Sequence, residues 1–171
     1  MDLTHLAWPF FDSTDVEHAH EFERWGRAEL VEFEQDEGGD GKAARQIFER
    51  LANGRLLRCT LPTQTSGQPA KIGLRSVSLM REISAFSSAI ADVALSEPWL
   101  GILPVALYGS PSLQEELLPS YLSGRLLPAF ALSEPEAGSD AAAITTTARR
   151  DGNHYVINGT KRFITGANKA Q

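Results

Sequence analysis

The stretch from Ala129 to Asp140 reads AFALSEPEAGSD, and its change of texture decides the architecture. Phe130-Ala131-Leu132-Ser133 alternates with the period of two expected of a β-strand. An acid-proline turn, Glu134-Pro135, follows, and then a loop, Gly138-Ser139-Asp140. A strand that runs into such a loop presents backbone N–H groups and short hydroxyls to a ligand at close range, because Gly and Ser let the main chain approach it.

Upstream of this stretch the periodicity is helical. Thr14-Asp15-Val16-Glu17 has the form of a capping box and predicts a helix to about Gln35, with Val16, Phe22, Trp25, Leu30 and Phe33 as core positions. The Gly-rich run DEGGDG at 36–41 ends it. A second helix is expected from Lys42 to Ala52, its apolar face built from Ala44, Ile47, Phe48 and Leu51, with Asn53-Gly54 as a left-handed cap. Residues 60–72 read as loop, and Leu74 to Leu95 as a long helix with one buried face. Pro98 breaks that pattern ahead of a shorter apolar segment, Trp99 to Tyr108. Ser110-Pro111 then opens another helix, Ser as cap and Pro at the first position, which ends at Gly124.

Downstream the chain alternates and is rich in β-branched residues, at Ile144–Ala148, Tyr155–Ile157 and Arg162–Thr165. Asp151-Gly152-Asn153 and Asn158-Gly159 separate these runs and are hairpin signals. The expected fold class is therefore α+β: an all-α part over residues 1–125 followed by an antiparallel β part over 126–171.

Bulk properties narrow the functional classes. With 171 residues, 42% hydrophobic and 22% charged, the chain has the composition of a soluble globular protein large enough for a substantial core. No apolar run approaches the roughly 18 residues of a membrane span. The acidic N-terminus is unlike a secretory or transit signal, and a single cysteine, Cys59, points to a reducing compartment, read as cytoplasmic. Of the net charge of −6, the last 46 residues carry +1 and the first 125 carry −7, without any Lys/Arg run, which argues against a nucleic-acid partner. Gly38 to Lys42 lacks the spacing of a phosphate loop, and no GxGxxG occurs. His18 with His20, and Glu21 with Glu23, stand two apart on a helix and face different ways, which is wrong for a shared metal.

Helices, then SPSLQEELLPSYLSG (110–124), then AFALSEPEAGSD, then NGTKRFITGA (158–167) resembles the order of segments in the acyl-CoA dehydrogenases, which are flavin enzymes. The resemblance covers essentially the whole chain and is strongest from Leu107 onward. It implies that 1–125 is the family's helical N-terminal domain and that 126–171 holds the first strands of its antiparallel β-barrel-like middle domain. The resemblance also implies that Phe130, Leu132 and Ser133 contact FAD, with Leu132 and Ser133 supplying donors to the pyrimidine edge of the ring. Phe163, Ile164 and Thr165 correspond to a second flavin segment. Gly138 and Ser139 correspond to a loop that meets the acyl-CoA substrate. Family members often have Thr at the position of Ser133 and Trp at that of Phe163, so the hydroxyl is kept here and an indole N–H is lost.

The implied reaction is α,β-dehydrogenation of an acyl-CoA thioester, in a homo-oligomer that passes electrons to an electron-transfer flavoprotein or a similar acceptor. The family's glutamate base and C-terminal helical bundle are expected beyond Gln171, so that no catalytic residue is assigned and this chain alone is expected to lack turnover. The alternatives are flavin-dependent monooxygenase chemistry on the same scaffold, and a non-catalytic fragment or assembly module.

Overall fold

A computed structural model describes residues 4–9, 11–33, 42–62, 94–95 and 97–170. The expected helix from Leu74 to Leu95, apart from Ala94 and Leu95, lies outside the described residues, as do the Gly-rich run at 36–41 and most of the expected loop at 60–72.

The first helix, α1, spans Ser13–Glu29 after a short 3₁₀ turn at Thr4–Ala7. Its cap is Asp12, not Thr14: the Asp12 carboxylate accepts from the N–H groups of Thr14 and Asp15, and Asp15 returns a bond to the Asp12 N–H. The box therefore starts two residues earlier than the sequence motif. Either residue type can cap, and the carboxylate reaches two free N–H groups where one hydroxyl reaches one. The α1 helix also stops short of Gln35, giving way to a 3₁₀ turn at Val31–Phe33 that buries Phe33. Phe22, Leu30 and Phe33 are buried, while Val16 and Trp25 are half-buried.

Helix α2, Lys42–Asn53, buries the expected face of Ala44, Ile47, Phe48 and Leu51. The left-handed residue after it is Arg55 (φ 59°), not Gly54. Gly54 instead sits in a tight place, since a Cβ there would lie 3.3 Å from both the Arg50 carbonyl and the Trp25 indole nitrogen. A 3₁₀ turn, Leu56–Thr60, leads on from it. Cys59 within it is half-buried, its thiol donating to the Leu56 carbonyl at 2.8 Å.

Helix α3 is Glu97–Tyr108 and α4 is Pro111–Leu122. Pro98 stands in the first turn of α3, where its missing N–H costs nothing, so it begins this helix as well as ending the pattern before it. Ser110 caps α4 as expected, accepting from the Leu113 N–H at 3.3 Å, and Pro111 is its first residue. The α4 helix closes through Gly124 at φ 74°, where a Cβ would fall 2.9 Å from that of Ala52 on α2. Tyr121 is wholly buried in the shared core, its ring 5.7 Å from that of Phe48. The Tyr121 hydroxyl meets Thr60 Oγ1 at 2.8 Å, and burial raises the pKa of that phenol.

The β part is smaller than the alternation suggests. Among the described residues the sheet has two antiparallel strands, β1 (Thr147–Asp151) and β2 (His154–Asn158), joined at Gly152-Asn153 with Asp151 opposite His154. Gly152 has φ 61°, which suits the first position of a tight hairpin loop. The other two expected strands do not form. Phe130–Ser133 is extended but pairs in no ladder, and Arg162–Thr165 runs through bends and turns. Asn158-Gly159 ends β2 without making a hairpin. Alternation supplies two faces, but a strand exists only where a neighbour takes its N–H and C=O groups.

Candidate functional site

The chain leaves α4 through Leu127, which is still buried in the helical core. It then passes directly over α3 at Gly101. A Cβ on Gly101 would lie 2.8 Å from the Pro128 Cβ and 3.0 Å from the Ala129 nitrogen, so the backbone there rests on helix backbone. This contact sets the origin of the 130–140 segment. Phe130 and Leu132 beyond it are exposed and Ser133 is half-buried.

At Glu134 the chain turns tightly. The Glu134 N–H donates to the Ala137 carbonyl at 2.8 Å, and the Ala137 N–H to the Glu134 carbonyl at 3.3 Å. Asp140 caps the 3₁₀ turn Ala141–Ala143 through the Ala142 N–H. Gly138 and Ser139 stand exposed between these two turns, and a Cβ on Gly138 would meet nothing within 4 Å. No neighbour among the described residues demands glycine there.

Glu134 is only 5% exposed, a rare position for a carboxylate unless it is paired. One of its oxygens, Oε2, accepts from the N–H and the hydroxyl of Thr145, each at 2.8 Å. The other, Oε1, accepts from the Thr146 N–H at 3.0 Å, the Thr146 hydroxyl, and Lys161 Nζ at 2.9 Å. The Thr146 hydroxyl, the Thr145 N–H and the Lys161 ammonium together hold this carboxyl well below the usual carboxylate range, against the opposing effect of burial. Lys161 Nζ also donates to the Leu132 carbonyl at 2.8 Å. Sequence reasoning read Glu134-Pro135 as a turn and missed this role. The available signal was an acidic residue eleven positions ahead of the run Thr145-Thr146-Thr147.

These bonds bring the two candidate cofactor segments together. The Arg162 N–H donates to the Ser133 carbonyl at 2.9 Å, and Arg162 Nη1 to the Pro135 carbonyl at 3.4 Å. The Arg162 guanidinium lies 4.0 Å from the centre of the Phe163 ring. Phe163 has φ 57°, an uncommon conformation for a bulky residue, and its side chain is 81% exposed. Ile164 and Thr165 are half-buried beside it. Among the described residues, the N–H groups of Leu132, Ser133, Ile164 and Thr165 and the hydroxyls of Ser133, Ser139 and Thr165 make no hydrogen bond within the chain. The site thus offers uncommitted donors beside exposed apolar surface from Phe130, Leu132 and Phe163.

Elsewhere the charged groups set aside on sequence grounds are used locally. Glu21 pairs with His18 at 3.3 Å, and Glu23 with Arg27 at 2.9 Å. Among the described residues no group of three or more His, Cys, Asp or Glu side chains could hold a metal ion, and no helix is long and apolar enough to cross a membrane.

Comparison with known proteins adds to this geometry. The family model for the acyl-CoA dehydrogenase N-terminal domain matches residues 14–125, and that for the middle domain matches 129–171. A 3-(aryl)acrylate reductase of Clostridium sporogenes is 39% identical over 125 residues, covering 72% of this chain and 32% of that protein. The mitochondrial isovaleryl-CoA dehydrogenase of Bos taurus is 35% identical over 132 residues, covering 77% and 31% respectively. Among solved structures, an acyl-CoA dehydrogenase from Bacillus anthracis complexed with FAD superposes with a TM-score of 0.70 at 28% identity, over 90% of this chain and 27% of that one. The chain spans about a third of the length of the curated relatives it matches.

Proposed function

The chain belongs to the acyl-CoA dehydrogenase family, and from that premise we propose that it supplies FAD and substrate contacts for the α,β-dehydrogenation of an acyl-CoA thioester. The observation that carries this reading is the joining of 130–139 to 161–165 by the Arg162–Ser133 and Lys161–Leu132 bonds, which sets uncommitted donors beside exposed apolar side chains. That donor set fits a flavin, which has an acceptor-rich edge and a flat apolar face. Bound FAD would supply the hydride acceptor that the reaction needs.

In this reading the Leu132 N–H and the Ser133 hydroxyl face the pyrimidine edge of the ring, where preorganised donors offset negative charge. Phe163 offers its exposed face to the ring, and the Thr165 hydroxyl is the donor of the second segment. Ser139, exposed and uncommitted, meets the thioester substrate, and Gly138 gives the ligand room where no atom of the described residues takes it.

Removal of the α proton needs a base, and Glu134 is unsuited to that task. Five donors hold it charged and behind two threonines, which makes it a weak base with no open approach. In this reading Glu134 is not the base, and none of the residues assigned above supplies it. Turnover by the 171 residues alone is not expected.

The test is a titration of FAD with the purified chain, followed by flavin fluorescence, together with an assay of acyl-CoA oxidation using an artificial acceptor. Saturable quenching that Phe163→Ala and Ser133→Ala both weaken, without oxidation, is the expected result. Absence of saturable quenching would remove the flavin reading for this chain, and measurable oxidation would show that this chain does supply a base.

A further inference from the structure

Beside the Arg162–Ser133 and Lys161–Leu132 bonds, five hydrogen bonds converge on one side chain where the two candidate cofactor segments meet. We propose that Glu134 is a positioning residue whose carboxylate clasps the 161–165 segment to the 130–139 segment, fixing the separation between Ser133 and Phe163–Thr165. Its relevance to flavin binding rests on the reading above, whereas the clasp itself rests on geometry alone.

Three stretches of the chain meet at this side chain. The turn at 134–137 belongs to the segment that leaves the helical core. Thr145 and Thr146 lie just ahead of β1, and Lys161 follows β2. Glu134 belongs to the first and is tied to the other two by five hydrogen bonds, and both strands of the hairpin are exposed along their whole length. The orientation of 161–165 therefore rests on polar bonds, namely the Lys161 bond to the Glu134 carboxylate and those of Lys161 and Arg162 to the Leu132, Ser133 and Pro135 carbonyls. Gly159 is part of the device. A Cβ there would fall onto Thr146 Oγ1 and within 2.9 Å of the Thr146 Cα, displacing the threonine that reaches Oε1. Lys161 adds a second tie, bridging the Glu134 carboxylate to the Leu132 carbonyl.

This arrangement predicts that hydrogen-bonding capacity at Thr146 matters and its shape does not. A residue that merely filled space would show the reverse. The Arg162 amide is a suitable reporter, because it donates to the Ser133 carbonyl and not to Glu134 or Thr146.

The experiment is amide hydrogen exchange at Arg162, measured by NMR on the 171-residue chain and its Glu134→Gln, Thr146→Val and Thr146→Ser variants, with helical content followed by circular dichroism. The expected result is exchange faster by roughly tenfold in Glu134→Gln and Thr146→Val, since a hydrogen bond to a charged group is lost in each. Exchange close to wild type is expected in Thr146→Ser, and helical content is unchanged throughout. Wild-type exchange in Glu134→Gln, or greater loss in Thr146→Ser than in Thr146→Val, would overturn the clasp. If Glu134→Gln fails to fold, the Val–Ser comparison decides alone. FAD quenching measured on the same samples should follow the same order. Absent quenching by the wild-type chain, with the exchange order intact, overturns the flavin reading and supports the clasp.

Discussion

The helical body and the segment beyond Leu127 are held together by opposite means. In the body, Phe48, Leu51, Leu57 and Tyr121 are removed from water altogether, and each helix contributes a face to one apolar cluster. Beyond it, ten strand residues are exposed on both sides of a two-stranded ribbon, and polar bonds, five of them to a single carboxylate, join the ribbon and its flanks to the 130–139 segment. Apolar burial is non-directional and tolerates small shifts, whereas a polar cluster fixes orientation and fails when one partner is lost. The part that needs orientation is the part built from directional bonds.

The sharpest way to break the comparison is a cavity in the body. Leu51→Ala should cost about 2–5 kcal/mol, visible as a lower urea midpoint by circular dichroism, because a fully buried leucine leaves both its transfer energy and a void behind. Gly101→Ala tests the seam between the regions. Its methyl would overlap Pro128 and Ala129, and we expect a loss of about 1–3 kcal/mol although alanine favours helix. Tyr121→Phe is a smaller change within the core. Thr60 Oγ1 keeps its bond to the Leu57 carbonyl at 2.6 Å, so only the Tyr121 bond is lost, about 1 kcal/mol in the same denaturation assay.

Acid distinguishes the regions by sign. The Glu134 carboxyl is depressed in the folded chain, so its contribution is complete above the unfolded carboxylate value of about 4.3 and is lost as pH falls towards the lower folded value. Arg162 amide protection should therefore stay flat from about pH 7 to 5 and weaken only below about 4.3. A loss near neutral pH would show that another group governs the segment. The least change is expected from Val156→Thr on the exposed ribbon, within about 0.5 kcal/mol of wild type.

What was legible in the sequence follows the range of the interactions. The Ser110-Pro111 start of α4, the buried face of α2 and the Gly152 hairpin are set by residues within one turn or one loop, and each stands where the sequence places it. The choice of Asp12 over Thr14 as cap depends on which side chain reaches more N–H groups, and both fit the local pattern. Phe130–Ser133 and Arg162–Thr165 were misread as strands because a ladder depends on partners far away in sequence, which alternation does not report. The candidate site was legible as two segments through family resemblance. Their junction through Glu134, Thr146 and Lys161 was not, since no spacing rule links an acid to a lysine 27 positions on.

The bare Cα of Gly101 has a mechanical consequence. With no side chain between α3 and the peptide at Pro128-Ala129, the helix acts as a rigid bed plate and any added atom acts as a shim. A shim of one methyl would lift the chain at its point of departure, and the tilt would grow with distance along the extended run towards Ser133. A position in the helical body that is itself no candidate ligand contact would in this way set the aim of the whole arm.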